Sequence, residues 1–328
     1  MNDYKIFNGD CREVIKSLPD NSVDLIITDP PYFIDGMGDD WNDNKLKTKV
    51  GKAGVIGGLP VGMKFDRQQG INLQKFLQPL AEEYYRVLKP GAFCIVFSQA
   101  RLYHRVAMAL DEVGFEMRDM LGWKYEGQAK AFSQDHFIKK RGDLSEEEKS
   151  NIIEELNGWK TPQLKPQIEP MTLAQKPKEG TFVDNYIKYK VGLMNVNESL
   201  DGMFPGNIIE ISKRERSDDE DFKIEHLTVK PVKLIEHLIK LFTHEGQTVL
   251  DTFMGSGSHG VAALKSNRRF IGIEIEEKYF NICMERFKKF NEPSLSSLKD
   301  TSLPYKNYAK IRNAKNSGWL GFSKEINL

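Results

Sequence analysis

Hydrophobic and polar positions follow two different periods along this chain, and the changes of period predict its elements. Residues 4–7 alternate over a short stretch and stop at Asn8-Gly9-Asp10, which reads as a strand and a turn. Residues 11–18 place apolar side chains at helical spacing and end at Pro19-Asp20-Asn21-Ser22. Val23-Asp24-Leu25-Ile26-Ile27-Thr28 is a short apolar run of the kind buried on both faces of a parallel sheet. It delivers the chain into Asp29-Pro30-Pro31-Tyr32. A polar, glycine-rich stretch follows over residues 35–70, too long for a plain connection in a compact domain. Residues 73–88 predict an amphipathic helix closed by Lys89-Pro90-Gly91. A second buried strand is expected over 92–98 and a further helix over 102–113.

From about residue 125 to residue 223 the pattern dissolves into polar residues, prolines and short apolar islands. Order then returns. A helix is predicted over 232–242, a strand over 248–250, a helix start over 260–266 and a strand over 269–273. Residues 276–290 form one more amphipathic helix, with Phe280, Phe287 and Phe290 expected towards the core. Regular alternation of strand and helix argues for an α/β fold, a doubly wound and mostly parallel sheet covered by helices. The expected organisation is one α/β half over 1–124, an insertion over 125–223, a second α/β half over 224–290 and an extension over 291–328.

Composition changes this picture little. The chain has 328 residues, 40% hydrophobic and 29% charged, with zero formal net charge, as in ordinary globular proteins. No apolar run is long enough to span a bilayer, and the amino-terminal residues lack a signal-peptide pattern. Cys11, Cys94 and Cys283 are widely spaced, without a disulfide or zinc pattern, so a reducing, cytoplasmic setting is expected and no metal is assigned.

Two segments carry chemistry. In Thr248-Val249-Leu250-Asp251-Thr252-Phe253-Met254-Gly255-Ser256-Gly257 a strand runs into a glycine turn and a helix amino terminus, a surface suited to close approach of a ligand. Gly255, Gly257 and Gly260 spell G-x-G-x-x-G, so a nicotinamide dinucleotide is one reading and plain strand–helix packing another. Asp251 before the glycines would repel a pyrophosphate but suits the ammonium of an amino acid. Glu274, ending the next strand, is placed to accept from ribose hydroxyls.

Asp29-Pro30-Pro31-Tyr32 is more specific. At about 5% per residue type a given tetrapeptide arises about once in 10^5 positions, so its place directly after a buried strand is informative. An exocyclic base amine is a poor nucleophile because its lone pair is delocalised into the ring. Asp29 and the Pro30 carbonyl can each accept one N–H, aiming the lone pair at a methyl donor. Pro30 and Pro31 stiffen the backbone, and Tyr32 offers a face on which an extruded base can stack.

These two boxes resemble those of the amino-group DNA methyltransferases, and the catalytic box preceding the cofactor box is similar to the beta ordering of that family. His226-Leu227-Thr228-Val229-Lys230-Pro231 resembles the segment before the cofactor box, which helps close over the methionine end of the cofactor, although Leu227 stands where proline is common. Asn8-Gly9-Asp10 resembles the strand end that meets the cofactor adenine. The resemblance implies a methyltransferase-type sheet in permuted order with an inserted target-recognition region. It implies S-adenosylmethionine as cofactor, bound by Asp10, Lys230, Asp251, Phe253, Gly255, Ser256, Gly257 and Glu274. The reaction it implies is methyl transfer to adenine N6 in DNA, catalysed by Asp29, Pro30, Pro31 and Tyr32. In the family, aspartate opening the box leans to adenine and serine to cytosine N4, which is the alternative target. A nicotinamide oxidoreductase and an inactive DNA-binding relative are the other readings. Besides DNA, the resemblance allows a second copy and a cognate restriction endonuclease as partners.

For DNA contacts the candidates are Lys124, Lys130, Lys139, Lys140 and Arg141, interleaved with Tyr125, Phe132, His136 and Phe137. A solvated face is the alternative. The basic, aromatic tail over 298–328 is a second candidate, and the glycine-rich loop over 51–62 a candidate lid.

Overall fold

A computed structural model of the chain describes residues 4–31, 67–127, 129, 131–212 and 230–291. One compact unit covers residues 1–287; a second, 288–328, is described only by the last turn of a helix.

The first unit is built on an eight-stranded sheet. Its strands are β1 (Tyr4–Asn8), β2 (Val23–Thr28), β3 (Leu88–Phe97), β4 (Glu116–Lys124), β5 (Ile168–Gln175), β6 (Ile208–Glu210), β7 (Thr248–Asp251) and β8 (Arg269–Glu274). They lie in the order β1-β8-β7-β2-β3-β5-β4-β6. All pairings are parallel except those of β5, which runs against both β3 and β4. The carboxyl ends of seven strands therefore share one edge with the amino end of β5. Every residue of β2 and of β7 is buried, as the continuous apolar runs predict for strands covered on both faces.

The helices are α1 (Cys11–Val14), α2 (Arg67–Val87), α3 (Tyr103–Asp111), α4 (Asp135–Lys139), α5 (Glu146–Glu155), α6 (Phe182–Tyr189), α7 (Val232–Phe242), α8 (Ser258–Lys265) and α9 (Glu277–Asn291). Capping boxes start α5 (Ser145 with Glu148) and α6 (Thr181 with Asp184), which satisfies backbone donors that the first turn leaves open. Among the described residues, no helix is long and apolar enough to cross a membrane.

The structure corrects the periodicity reading in three places. The helix does end before Lys89-Pro90-Gly91, at Val87, but these residues already belong to the next strand, as a bulge inside β3 where the pairing with β2 jumps from Val23↔Leu88 to Leu25↔Phe93. The Lys89 ammonium there donates to Asp24, a carboxylate 1% exposed that also accepts from the Thr248 backbone N–H, so three strands are tied together. Second, the stretch after residue 125 supplies β5, which lies inside the sheet between β3 and β4. Third, the buried stripe of α9 is Tyr279, Cys283 and Phe287 at i, i+4 and i+8, with Phe280 half-buried; the Phe290 side chain lies outside the described residues.

Candidate active site

Adjacent strands β2 and β7 end side by side at the carboxyl edge, with Leu25↔Val249 and Ile26↔Leu250 in register. The order of the sheet reverses here, so the two segments singled out in the sequence meet where open α/β sheets bind ligands. A buried hydroxyl chain fixes their junction. Thr28 Oγ1 donates to Asp251 Oδ1 at 2.7 Å and accepts from the Thr252 N–H at 3.3 Å. The Thr252 hydroxyl in turn shares a hydrogen bond with the hydroxyl of Tyr84, on α2.

Asp29 follows β2 directly, with Pro30 buried and Pro31 half-buried behind it; Tyr32 lies outside the described residues. The Lys230 ammonium donates to Asp29 Oδ2 at 2.5 Å and lies 2.8 Å from Glu169 Oε1. Lys230 is 6% exposed, and its Nζ also stands 5.0 Å from the centre of the Phe97 ring. Burial works against its charge, but Asp29 and then Glu169 more than offset this and hold the ammonium above its ordinary pKa. The sequence reading puts Lys230 among the cofactor ligands; the structure places it against Asp29. Glu169 was not expected at all. It sits here because β5, alone among the described strands, enters the sheet at the carboxyl edge, where Met171 pairs with Phe97 and Glu169 with Trp123.

The glycine turn closes on the other side of Asp251. This carboxylate is 1% exposed; besides Thr28 it accepts from the Phe253 N–H at 3.0 Å, so it orders the turn from beneath. His259 Nδ1 lies 2.7 Å from Asp251 Oδ2 without the alignment of a hydrogen bond, and the imidazole stacks on Phe97 at 5.9 Å. Glu274 accepts from the Gly255 N–H at 2.7 Å and the Glu276 N–H at 2.8 Å. Burial first, and the charges of Asp251 and Glu276 further, push its carboxyl up to about 7 against those two donors. Phe253 packs on Phe76 at 6.0 Å. The Ser256 carbonyl accepts from Arg286, and the Gly255 carbonyl from the Cys283 thiol at 3.1 Å, so α9 clamps the turn.

Two glycines do different work here. Gly257 caps α8 with φ +85, and a Cβ there would meet Cys283 Sγ at 2.8 Å. Gly260 is a packing glycine, since a Cβ would lie 2.2 Å from Phe287 and 2.7 Å from Phe270, both fully buried rings. Gly260→Ala is expected to destabilise the protein by up to about 2 kcal/mol, since overpacking costs about 1–3 kcal/mol and the helix-propensity gain returns about 1 kcal/mol. A lowered urea midpoint with an unchanged slope checks it.

Asp10 stands beside this group, because the Gly9 N–H and the Asn8 side-chain amide both donate to the Glu274 carbonyl at 2.9 Å. Its carboxylate caps α1 and pairs with Arg12, whose guanidinium holds it below the usual carboxylate range. The residues expected on DNA are exposed. Lys124 ends β4 and pairs with Glu210 at 2.8 Å; Lys139 and Lys140 close α4, and the following Arg141 pairs with Asp143. Lys130, the tail over 298–328 and the loop over 51–62 lie outside the described residues.

The turn has the acceptor set for a cationic, ribose-bearing ligand. Two carboxylates, Asp251 and Glu274, end neighbouring strands. Among the described residues, buried polar atoms remain without hydrogen bonds around the turn, namely Asp251 Oδ2, Ser258 Oγ and both ring nitrogens of His259. Such atoms are costly unless a polar ligand or water meets them.

Known proteins agree with this geometry. The DNA methylase family model for N6 and N4 methyltransferases matches residues 23–285. The type II methyltransferase M.HindIII of Haemophilus influenzae is 33% identical over 303 residues, covering 86% of this chain and 94% of that protein. M.HinfI, also from Haemophilus influenzae, is 24% identical over 310 residues, covering 93% and 74%. Among solved structures, a PvuII DNA methyltransferase described as cytosine-N4-specific superposes with a TM-score of 0.57 at 17% identity, over 89% of this chain and 91% of that one. A DNA modification methylase of Thermus thermophilus, complexed with S-adenosyl-L-methionine, gives 0.52 at 19% identity over 88% and 94%. At these identities the two structures speak for the fold, which is that of the S-adenosylmethionine-dependent DNA methyltransferases. Together with Asp29 and the glycine turn at one sheet edge, the family match over most of the chain makes this protein a member of the N6/N4 DNA methyltransferase family.

Proposed function

We propose that this chain is a site-specific DNA adenine-N6 methyltransferase that uses S-adenosylmethionine. The observation that carries the reading is the junction of β2 and β7, where one hydroxyl, Thr28 Oγ1, bonds Asp251 and so fixes Asp29 beside the glycine turn. The cofactor supplies an electrophilic methyl group on a sulfonium. In this reading Glu274 accepts from the ribose hydroxyls, Asp10 lies towards the adenine end, and Phe253, Gly255, Ser256 and Gly257 form the wall of the pocket. Asp251 acts mainly by ordering the turn and placing negative charge beneath it.

The target base is flipped out of the duplex, since its amine is otherwise inaccessible. Asp29 takes one N–H and the Pro30 carbonyl the other, which turns the nitrogen lone pair towards the methyl group. Tyr32 is assigned the stacking face. Residues 125–223 are assigned target recognition, with Lys139 and Lys140 on the phosphates; β5, within that range, belongs to the sheet. Adenine is preferred over cytosine because aspartate opens the box. The test is to incubate unmodified genomic DNA with the pure protein and S-adenosylmethionine, then read base and context by single-molecule sequencing. N6-methyladenine in one sequence context is expected. N4-methylcytosine would overturn the target, and unmodified DNA the activity.

A further inference from the structure

We propose that Glu169 is a positioning residue for methyl transfer: it draws the Lys230 ammonium to the carboxyl edge and offsets its charge, so that this ammonium can fix Asp29 without opposing the reaction. The proposal rests on the functional reading above. Three distant segments make the group: Asp29 follows β2, Glu169 lies in β5, and Lys230 precedes α7. Their contacts are 2.5 Å from Lys230 Nζ to Asp29 Oδ2 and 2.8 Å to Glu169 Oε1, with Phe97 beneath.

The charge count explains why a second carboxylate is present. An acceptor for a base amine must hold its rotamer, and a charged hydrogen bond from a nearly buried lysine does this. Yet in the reaction the amine nitrogen forms an N–C bond while the C–S bond breaks, its electron pair staying on sulfur. The nitrogen turns positive until it releases one proton to water. A lone lysine beside Asp29 would leave the site neutral, with its positive member next to a forming cation. Glu169 makes the group net negative and favours the charge where it develops.

Among the described residues, Tyr125 is a further titratable side chain facing the group. Burial and then Glu169 raise its hydroxyl, while the Lys230 charge works in the opposite direction. It therefore responds to both members of the couple.

The experiment compares the full chain with Glu169→Gln, Glu169→Asp and Lys230→Arg. It measures single-turnover methyl transfer to DNA across pH, S-adenosylmethionine affinity by calorimetry, and thermal midpoint. Glu169→Gln leaves Asp29 and Lys230 as a neutral pair, so the fold is expected to stand. It should lower the transfer rate about tenfold or more, with cofactor affinity within about twofold. The alkaline limb of its pH profile should move to lower pH, because the ammonium has lost one of the two carboxylates that raise it. Glu169→Asp should recover most of the rate, and Lys230→Arg should keep the charge and lose the short contact. An unchanged rate and profile overturn the proposal, as does a loss matched in cofactor affinity and stability that Glu169→Asp does not restore. The two readings fail separately. No transfer by the unaltered chain overturns the function and this role with it, whereas transfer indifferent to Glu169→Gln overturns this role alone.

Discussion

Replacing Asp29 by alanine is expected to slow methyl transfer by about 10^3-fold while leaving cofactor affinity and stability near those of the unaltered chain. Removal of one preorganised partner of a reacting group typically costs about 10^2–10^3 in rate. In the proposed mechanism Asp29 adds to this by orienting the nucleophile as well as accepting from it. Stability should survive for a reason visible in the site. Lys230 is held by two carboxylates, so deleting Asp29 leaves it paired with Glu169 at 2.8 Å and strands no buried charge. Asp29→Asn separates the two contributions, because the amide keeps a carbonyl acceptor and loses the charge; its rate should fall between the other two. Single-turnover transfer, calorimetry with S-adenosylmethionine and a urea titration measure the three quantities. Turnover unaffected by Asp29→Ala would falsify the mechanism.

Legibility in the sequence followed how locally each feature is specified. The strands β2 and β7 were legible because burial on both faces demands an unbroken apolar run, and a turn bounds each one. The strand β5 was not, although it lies inside the sheet. It contains Pro170, Thr172 and Gln175, which read as loop. The fold satisfies them with distant partners: the Pro170 carbonyl accepts from the Ser98 N–H, and Gln175 donates to the Gly91 carbonyl and accepts from Arg118. Such bonds exist only once the sheet is assembled, so no window of neighbouring residues announces them.

The same distinction runs through the site. Asp29 and Asp251 announce themselves because each is joined to a local pattern, prolines in one case and glycines in the other. Glu169 is a lone acid whose partner lies far along the chain, and no local signal marks it. Lys230 was noticed, but its sequence context pointed to the cofactor and its geometry points to Asp29. The hydroxyl chain of Thr28, Thr252 and Tyr84 was likewise invisible, because single threonines at strand ends are commonplace.

Glu274 gives the second large effect, and its sign differs from that of most carboxylates in proteins. Paired acids are usually held below their ordinary pKa and stabilise a fold above it. Here burial wins over two backbone donors, and the carboxyl rises from 4.5 to about 7. Between those values the folded chain keeps a proton that the unfolded chain has released, so stability falls as pH rises. The cost is absent below about pH 4.5 and fully present above about pH 7, where it amounts to roughly 3 kcal/mol. Glu274→Gln cannot ionise, so its stability relative to the unaltered chain should improve by roughly that amount between about pH 5 and pH 8 in urea titrations. The glutamine NH2 faces one of the two backbone N–H donors and adds a penalty independent of pH, which leaves the difference in slope as the diagnostic. Equal slopes would remove Glu274 as the source. In the proposed cofactor site the same charge has a use, because ribose hydroxyls would donate to it. Binding should then expel the proton, and S-adenosylmethionine affinity should rise about tenfold per pH unit below about pH 7 and level off above it. Glu274→Gln should flatten that dependence and weaken binding at about pH 8. On the proposed reading, the free enzyme gives up stability at neutral pH to hold an ionised acceptor for the cofactor's ribose hydroxyls.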